Sequence, residues 1–133
     1  MNAEQLCAAA VDAMQRAYAP YSKFQVGAAL ETADGTVYTG CNIENGAYSP
    51  SVCAERVALF RAVHDGHRSF RRLAVAGGTG GVVHGACPPC GVCRQTLSEF
   101  CGPELTVYIV TGPGAHRTTT LGALLPESFA LPH

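Results

Sequence analysis

No apolar run in the 133-residue chain is long enough to cross a bilayer, although 47% of its residues are apolar. A membrane span is therefore excluded in favour of a soluble globular protein. Clustered positive charge is also missing. Nine Lys and Arg stand against ten Asp and Glu, a formal charge of -1, and no segment gathers enough cations to neutralise a phosphate backbone, which disfavours a nucleic-acid substrate. The first ten residues carry Glu4 and no Lys or Arg ahead of an apolar block, unlike a secretory leader, so the expected location is cytoplasmic. No internal repeat is visible. The glycine-rich stretch Gly77 to Gly85 lacks the spacing and the Lys-Ser/Thr ending of a phosphate loop. Seven cysteines, at 7, 41, 53, 87, 90, 93 and 101, are an odd and unevenly spread set. That is a poor disulfide framework and a better mixture of metal ligands and core residues in a reducing compartment. The length suits one domain over residues 1–133, burying roughly two thirds of its unfolded surface.

What is present has a readable order. Asn2 followed by Gln5 is a helix-starting pair, and Leu6, Ala10, Ala13, Met14 and Ala17 recur at helical spacing, which predicts a helix over 3–18 ending before Pro20. Alternating apolar residues and the Asp34-Gly35 turn signal predict antiparallel strands over 24–32 and 36–41. A turn-rich loop follows to Ser51. The run from Cys53 to Val63 is apolar on nearly every face, so it predicts a helix that one sheet cannot cover, with another subunit supplying the rest. Beyond it we expect a strand over 73–76, a loop over 77–85 and a helix over 90–101 with Val92, Leu97 and Phe100 inward. A strand over 105–110, a short β-prone run over 117–120 and a last helix over 121–125 complete the chain. Together they predict a mixed sheet with helices on both faces.

The chemistry concentrates in Cys53-Ala54-Glu55-Arg56 and Pro89-Cys90-Gly91-Val92-Cys93-Arg94-Gln95. Cys90 and Cys93 are spaced to meet one ion from a single helical turn. Cys53 can supply a third thiolate, and one tetrahedral position stays free for water, the pattern of a catalytic zinc site. Helix starts favour thiolates through free amides and the positive dipole end. Glu55, two residues past the lone ligand, is placed to carry protons at the open position without ligating. Two other readings compete: a thioredoxin-like pair from Cys87 and Cys90, and a closed structural zinc module drawing a fourth ligand from Cys41, His84 or Cys87. Three thiolates leave zinc with a formal charge of -1, which a guanidinium at Arg56 would offset.

With these residues in view, the chain resembles the homotetrameric cytidine deaminases of the cytidine/deoxycytidylate deaminase superfamily. The likeness runs through Tyr21-Ser22-Lys23-Phe24-Gln25-Val26-Gly27-Ala28-Ala29-Leu30, Gly40-Cys41-Asn42-Ile43-Glu44-Asn45 with Tyr48, both cysteine motifs, and Leu124-Leu125-Pro126 with Phe129. Gly46-Ala47 and Cys87-Pro88 depart from the family pattern. The resemblance implies a three-layer α/β/α sandwich around a five-stranded mixed sheet. It implies one zinc per subunit on Cys53, Cys90 and Cys93, with Glu55 as the catalytic proton shuttle. Asn42 and Glu44 would hold the ribose hydroxyls, and the Ala54 amide the base. Phe24 would stack on the pyrimidine with Phe129 from another subunit, and Tyr48 would act across a subunit boundary. The implied reaction is hydrolytic attack at C4 of cytidine, and of 2'-deoxycytidine, giving uridine or deoxyuridine and ammonia in pyrimidine salvage. A relative acting on an aminopyrimidine antibiotic or a nucleotide is the nearest alternative.

Overall fold

The computed structural model describes residues 1–133. Helix α1, Ala3–Met14, opens on the expected capping box. Asn2 Oδ1 accepts from the Gln5 amide at 2.8 Å while Gln5 Oε1 accepts from the Asn2 amide at 2.9 Å, satisfying two of the donors that a helix start leaves free. The helix stops four residues short of the expected 18. Tyr18 is needed elsewhere: its N–H donates to Asn42 O at 3.0 Å and its carbonyl accepts from the Glu44 amide at 2.8 Å. That bridge requires extended backbone and overrides the helical periodicity.

Strands β1 (Gln25–Thr32) and β2 (Val37–Cys41) pair antiparallel, with Gly35 taking φ 92° in the turn between them. Helix α2 covers Ala54–His64. Strand β3, Phe70–Thr79, is longer than the expected 73–76. Phe70 pairs with Thr32 at one end and Gly77 and Gly78 pair with Val26 and Gln25 at the other, so the front of the glycine-rich stretch is strand. Only Gly80 and Gly81 turn, both at positive φ, and β4 (Val82–Val83) pairs back on β3. Helix α3, Gly91–Ser98, crosses from β3 to β5 (Thr106–Gly112), its parallel neighbour. Strand β6 (Ala115–Thr120) and the single turn α4 (Leu121–Leu124) close the chain.

The main sheet order is β2-β1-β3-β5-β6, with β4 beside β3. The mixed sheet is as expected, but it has six strands and not five, because β4 was read as loop. Its side chains alternate between faces as the pleat requires. Ala29, Ala74, Ala76 and Val110 meet Leu6, Ala10 and Met14 of α1. Ala28, Leu30, Leu73, Val75, Val107 and Ile109 meet Ala54, Ala58 and Leu59 of α2, Leu97 of α3 and Leu121 of α4. On α2 the sheet buries Ala54, Glu55, Ala58, Leu59 and Ala62 and leaves Phe60 half exposed, so no element of this chain covers the outer apolar side. Val92 of α3 is exposed rather than inward; Cys93 and Leu97 take the buried positions.

Candidate metal centre

Two helices on one face of the sheet begin at cysteines. Cys53 is the N-cap residue of α2, Cys90 is that of α3, and Cys93 lies in the first turn of α3. Cys90 Sγ accepts from the Cys93 amide at 3.4 Å, so the sulfur sits where a helix start stabilises negative charge. Glycine brings α2 close to the sheet: a Cβ on Gly40 of β2 would stand 2.5 Å from the Ala54 carbonyl and 2.6 Å from the Ala58 nitrogen.

The three sulfurs converge. All lie within 4.8 Å of one another, with Cys53 to Cys90 at 3.7 Å and Cys90 to Cys93 at 3.3 Å. Zinc–thiolate bonds of ~2.3 Å in a tetrahedron put sulfurs about 3.8 Å apart, so the cluster is near the spacing that a shared ion imposes. No other His, Cys, Asp or Glu completes the set. Cys41 Sγ lies 3.4 Å from the Arg16 carbonyl, and His84 and Cys87 stand outside the cluster. The closed four-ligand reading therefore fails. The redox pair fares no better: Cys90 is engaged with Cys53 and Cys93, and all seven cysteines are free.

Charge around the sulfurs is uneven. The Cys53 thiol is pushed down to about 5, first by its hydrogen bond with Cys93 and then by Arg56. Cys93 is pushed up by that same bond and by burial. Arg56 Nη2 lies 3.5 Å from Cys53 Sγ, and this contact raises the guanidinium above its ordinary value. Glu55, two residues past Cys53 in the first turn of α2, is only 3% exposed, and its Oε1 has no hydrogen-bond partner. Burial, and then the negative charge of Cys53, raise its pKa to about 7. A carboxyl poised near neutrality can both take and give a proton. An orphaned buried oxygen beside three thiols and no fourth ligand fits zinc with one position open to a reactant.

The other expected site residues fall into two groups. Asn42 and Glu44 stand in the loop after β2, and both spend hydrogen bonds on backbone. Asn42 Oδ1 accepts from the Val26 amide at 2.8 Å and its Nδ2 donates to Phe24 O at 2.9 Å. Glu44 Oε1 accepts from the Tyr21 and Ser22 amides at 3.0 and 3.1 Å, which pins the approach to Phe24 and leaves Oε2 as a further acceptor. Ala54 opens α2, fully buried. Tyr48 and Phe129 do not join this group. Tyr48 is 80% exposed in a loop closed by Ile43 and Val52, and Phe129 is 65% exposed on the C-terminal tail.

Sequence reasoning missed one neighbour of Phe24. A Cβ on Gly77 would stand 2.8 Å from Cys87 Sγ and 2.9 Å from Phe24 Cε2, so both side chains close over the same bare spot of β3. Cys87 is a neutral thiol there, pushed up to about 11 by burial and then by the charges of Glu55, Cys53 and Cys90. The sequence pointed to Cys87 only as a redox partner of Cys90, as a fourth zinc ligand and as a departure from the family pattern, none of which is this packing role.

Residues 1–109 match the family model described as the cytidine and deoxycytidylate deaminase zinc-binding region. Over 98% of the chain it is 52% identical to the cytidine deaminase of Sporosarcina psychrophila, of which 93% is covered. It is 43% identical to that of Halalkalibacterium halodurans, over 97% of the chain and 95% of the relative. Among solved structures, the cytidine deaminase of Burkholderia pseudomallei superposes with a TM-score of 0.89 at 47% identity, covering 97% of this chain and all of that one. The Mycobacterium tuberculosis enzyme gives a TM-score of 0.82 at 40% identity, over 98% of this chain and 99% of its own.

Proposed function

The chain belongs to the cytidine and deoxycytidylate deaminase family, and from that premise we propose that it hydrolyses cytidine, and 2'-deoxycytidine with it, to uridine or deoxyuridine and ammonia. One observation carries the reading: three convergent thiols with no fourth protein ligand, beside a buried carboxylate oxygen that nothing in the chain satisfies. Cys53, Cys90 and Cys93 hold the zinc, which when bound makes water a nucleophile near neutral pH.

Glu55 takes a proton from the water that attacks C4. It gives that proton to the ring nitrogen beside C4, then takes the remaining proton from the hydroxyl added at C4 and gives it to the departing amine as the C4–N bond breaks, so that water and cytidine become uridine and ammonia. The raised pKa of Glu55 supports this two-way traffic. Arg56 offsets the extra thiolate charge at Cys53, in keeping with its 3.5 Å contact. Phe24 supplies a stacking face for the pyrimidine, the Ala54 amide meets a polar edge of the base, and the free acceptor capacity of Asn42 and Glu44 suits a diol. An unphosphorylated nucleoside fits this set better than a nucleotide, because no basic cluster stands by to meet a phosphate.

We further infer a homotetramer in which neighbouring subunits complete each site with Tyr48 and Phe129. Supporting it are the apolar side chains that the single chain leaves in water: Phe60, Val92, Tyr48 and Phe129. No helix is long and apolar enough to cross a membrane. Seven free thiols support the cytoplasmic role in pyrimidine salvage that belongs to this proposal.

The test is ammonia release from cytidine and from deoxycytidine by purified protein, with zinc content and sedimentation measured on the same preparation. Turnover of both nucleosides that disappears on chelation and returns with zinc is the expected result, and Arg56→Ala should lower zinc retention. A zinc-loaded protein inert toward both nucleosides would refute the assignment.

A further inference from the structure

The two positions that follow Cys93 reach for the end of the chain. Arg94 donates from Nη1 to the Leu124 carbonyl at 2.8 Å, and Gln95 donates from Nε2 to the Phe129 carbonyl at 2.9 Å. Between those two anchors the chain reverses through Glu127 at φ 52°, a left-handed conformation that a residue with a side chain holds only when its surroundings impose it. The result is an unusual pairing of order and exposure: the Phe129 backbone is tied to α3, yet its ring is 65% exposed. The one other tie on the tail, His133 to Glu99 at 3.8 Å, is between exposed groups and holds little.

We propose that Gln95 is a positioning residue for the reaction: its carboxamide holds the Phe129 carbonyl and thereby sets the direction in which the ring leaves the surface. Because Gln95 sits two residues after Cys93, the helix that carries two metal ligands for its own site also aims the aromatic ring offered to a neighbouring one. This rests on the reading of Phe129 as a stacking group for the pyrimidine of another subunit. A free tail would have to order that ring at each binding event, and a fixed carbonyl removes much of the entropy loss.

Gln95→Glu tests the idea without changing shape, since it replaces the donor by an acceptor facing the carbonyl; Gln95→Ala removes the group. With the holoenzyme we expect either variant to raise KM for cytidine about fivefold or more, with kcat and zinc content little changed, as for lost substrate binding. The rise should vanish in a Phe129→Ala background. The chain has no tryptophan, so Phe129→Trp gives a single reporter whose fluorescence anisotropy should drop when Gln95→Glu is added. An unchanged KM in Gln95→Glu beside a raised KM in Phe129→Ala would overturn the inference and leave the stacking role standing. An equal rise in KM with and without the Phe129 ring would overturn it too, because Gln95 would then act by another route. A native KM in Phe129→Ala would remove the stacking role itself, and the inference with it.

Discussion

Glu31 and Glu55 are both 3% exposed, and they behave oppositely. Glu31 lies on the α1 side of the sheet and accepts two hydrogen bonds from Arg72, at 2.7 and 2.8 Å, so its pKa is lowered. Glu55 lies on the α2 side with an oxygen left unpartnered, and burial raises its pKa to about 7. Low exposure alone therefore does not set the state of a carboxyl; its hydrogen-bond partners and the depth of its surroundings do. On the α1 side the polar groups are satisfied within the chain, from the capping box to the Glu31 pair, around the packed Leu6, Ala10 and Met14. The α2 side leaves an orphan carboxylate, three thiols and exposed apolar groups, which the proposed metal, substrate and neighbouring subunits would complete.

The contrast can be broken from either side. Glu55→Gln should have the largest effect on function, a loss of turnover of at least ~100-fold with zinc still bound. Its melting temperature should hold or rise, because a neutral amide is easier to bury than an unpaired carboxyl. A large loss of stability in that variant would show that Glu55 is structural, as Glu31 is.

Arg72→Met removes both hydrogen bonds and leaves Glu31 only the looser Arg71 contact at 3.9 Å, which should destabilise the native state by up to ~3–5 kcal/mol at neutral pH, while the folded fraction keeps its kcat. The pH dependence sharpens this. A lowered folded pKa means that the Glu31 contribution is fully present above the unfolded value of ~4.3 and is lost as pH falls through the folded pKa. Melting temperatures of the native protein should therefore drop in acid. In Arg72→Met the largest cause of that lowering is gone, so the loss of stability in acid should shrink. Glu31→Gln should give the smallest change, about 1 kcal/mol at pH 7, with the acid-dependent part of the native curve reduced. Thermal melts at pH 7 and pH 4 check all three; parallel curves would remove the ion pair from the account.

Much of the site was legible because its chemistry is local. The Cys53-Ala54-Glu55-Arg56 and Pro89 to Gln95 spacings put thiols at two helix starts, which is where the sulfurs are found. The Asn2 and Gln5 pair and the Asp34-Gly35 turn were likewise readable from their own neighbourhoods. The errors share a cause. Helix α1 ends early because Tyr18 pairs with the loop at Asn42 and Glu44. Strand β3 extends into glycines because Gly77 and Gly78 find partners on β1, more than fifty residues earlier in the chain. Val92 points outward because α3 gives its buried positions to Cys93 and Leu97.

By itself the sequence determined the elements whose signals lie within a turn of helix or a hairpin, together with the three cysteines that could hold a metal and the carboxylate near them, since backbone sterics and motif spacing act at short range. Only the tertiary structure decided the meeting of two distant segments at 3.7 Å, the opposite pKa shifts of two solvent-shielded glutamates, and the hold of Gln95 on the tail. Those depend on which groups packing makes neighbours, and burial and hydrogen bonding act on neighbours in space rather than in the chain.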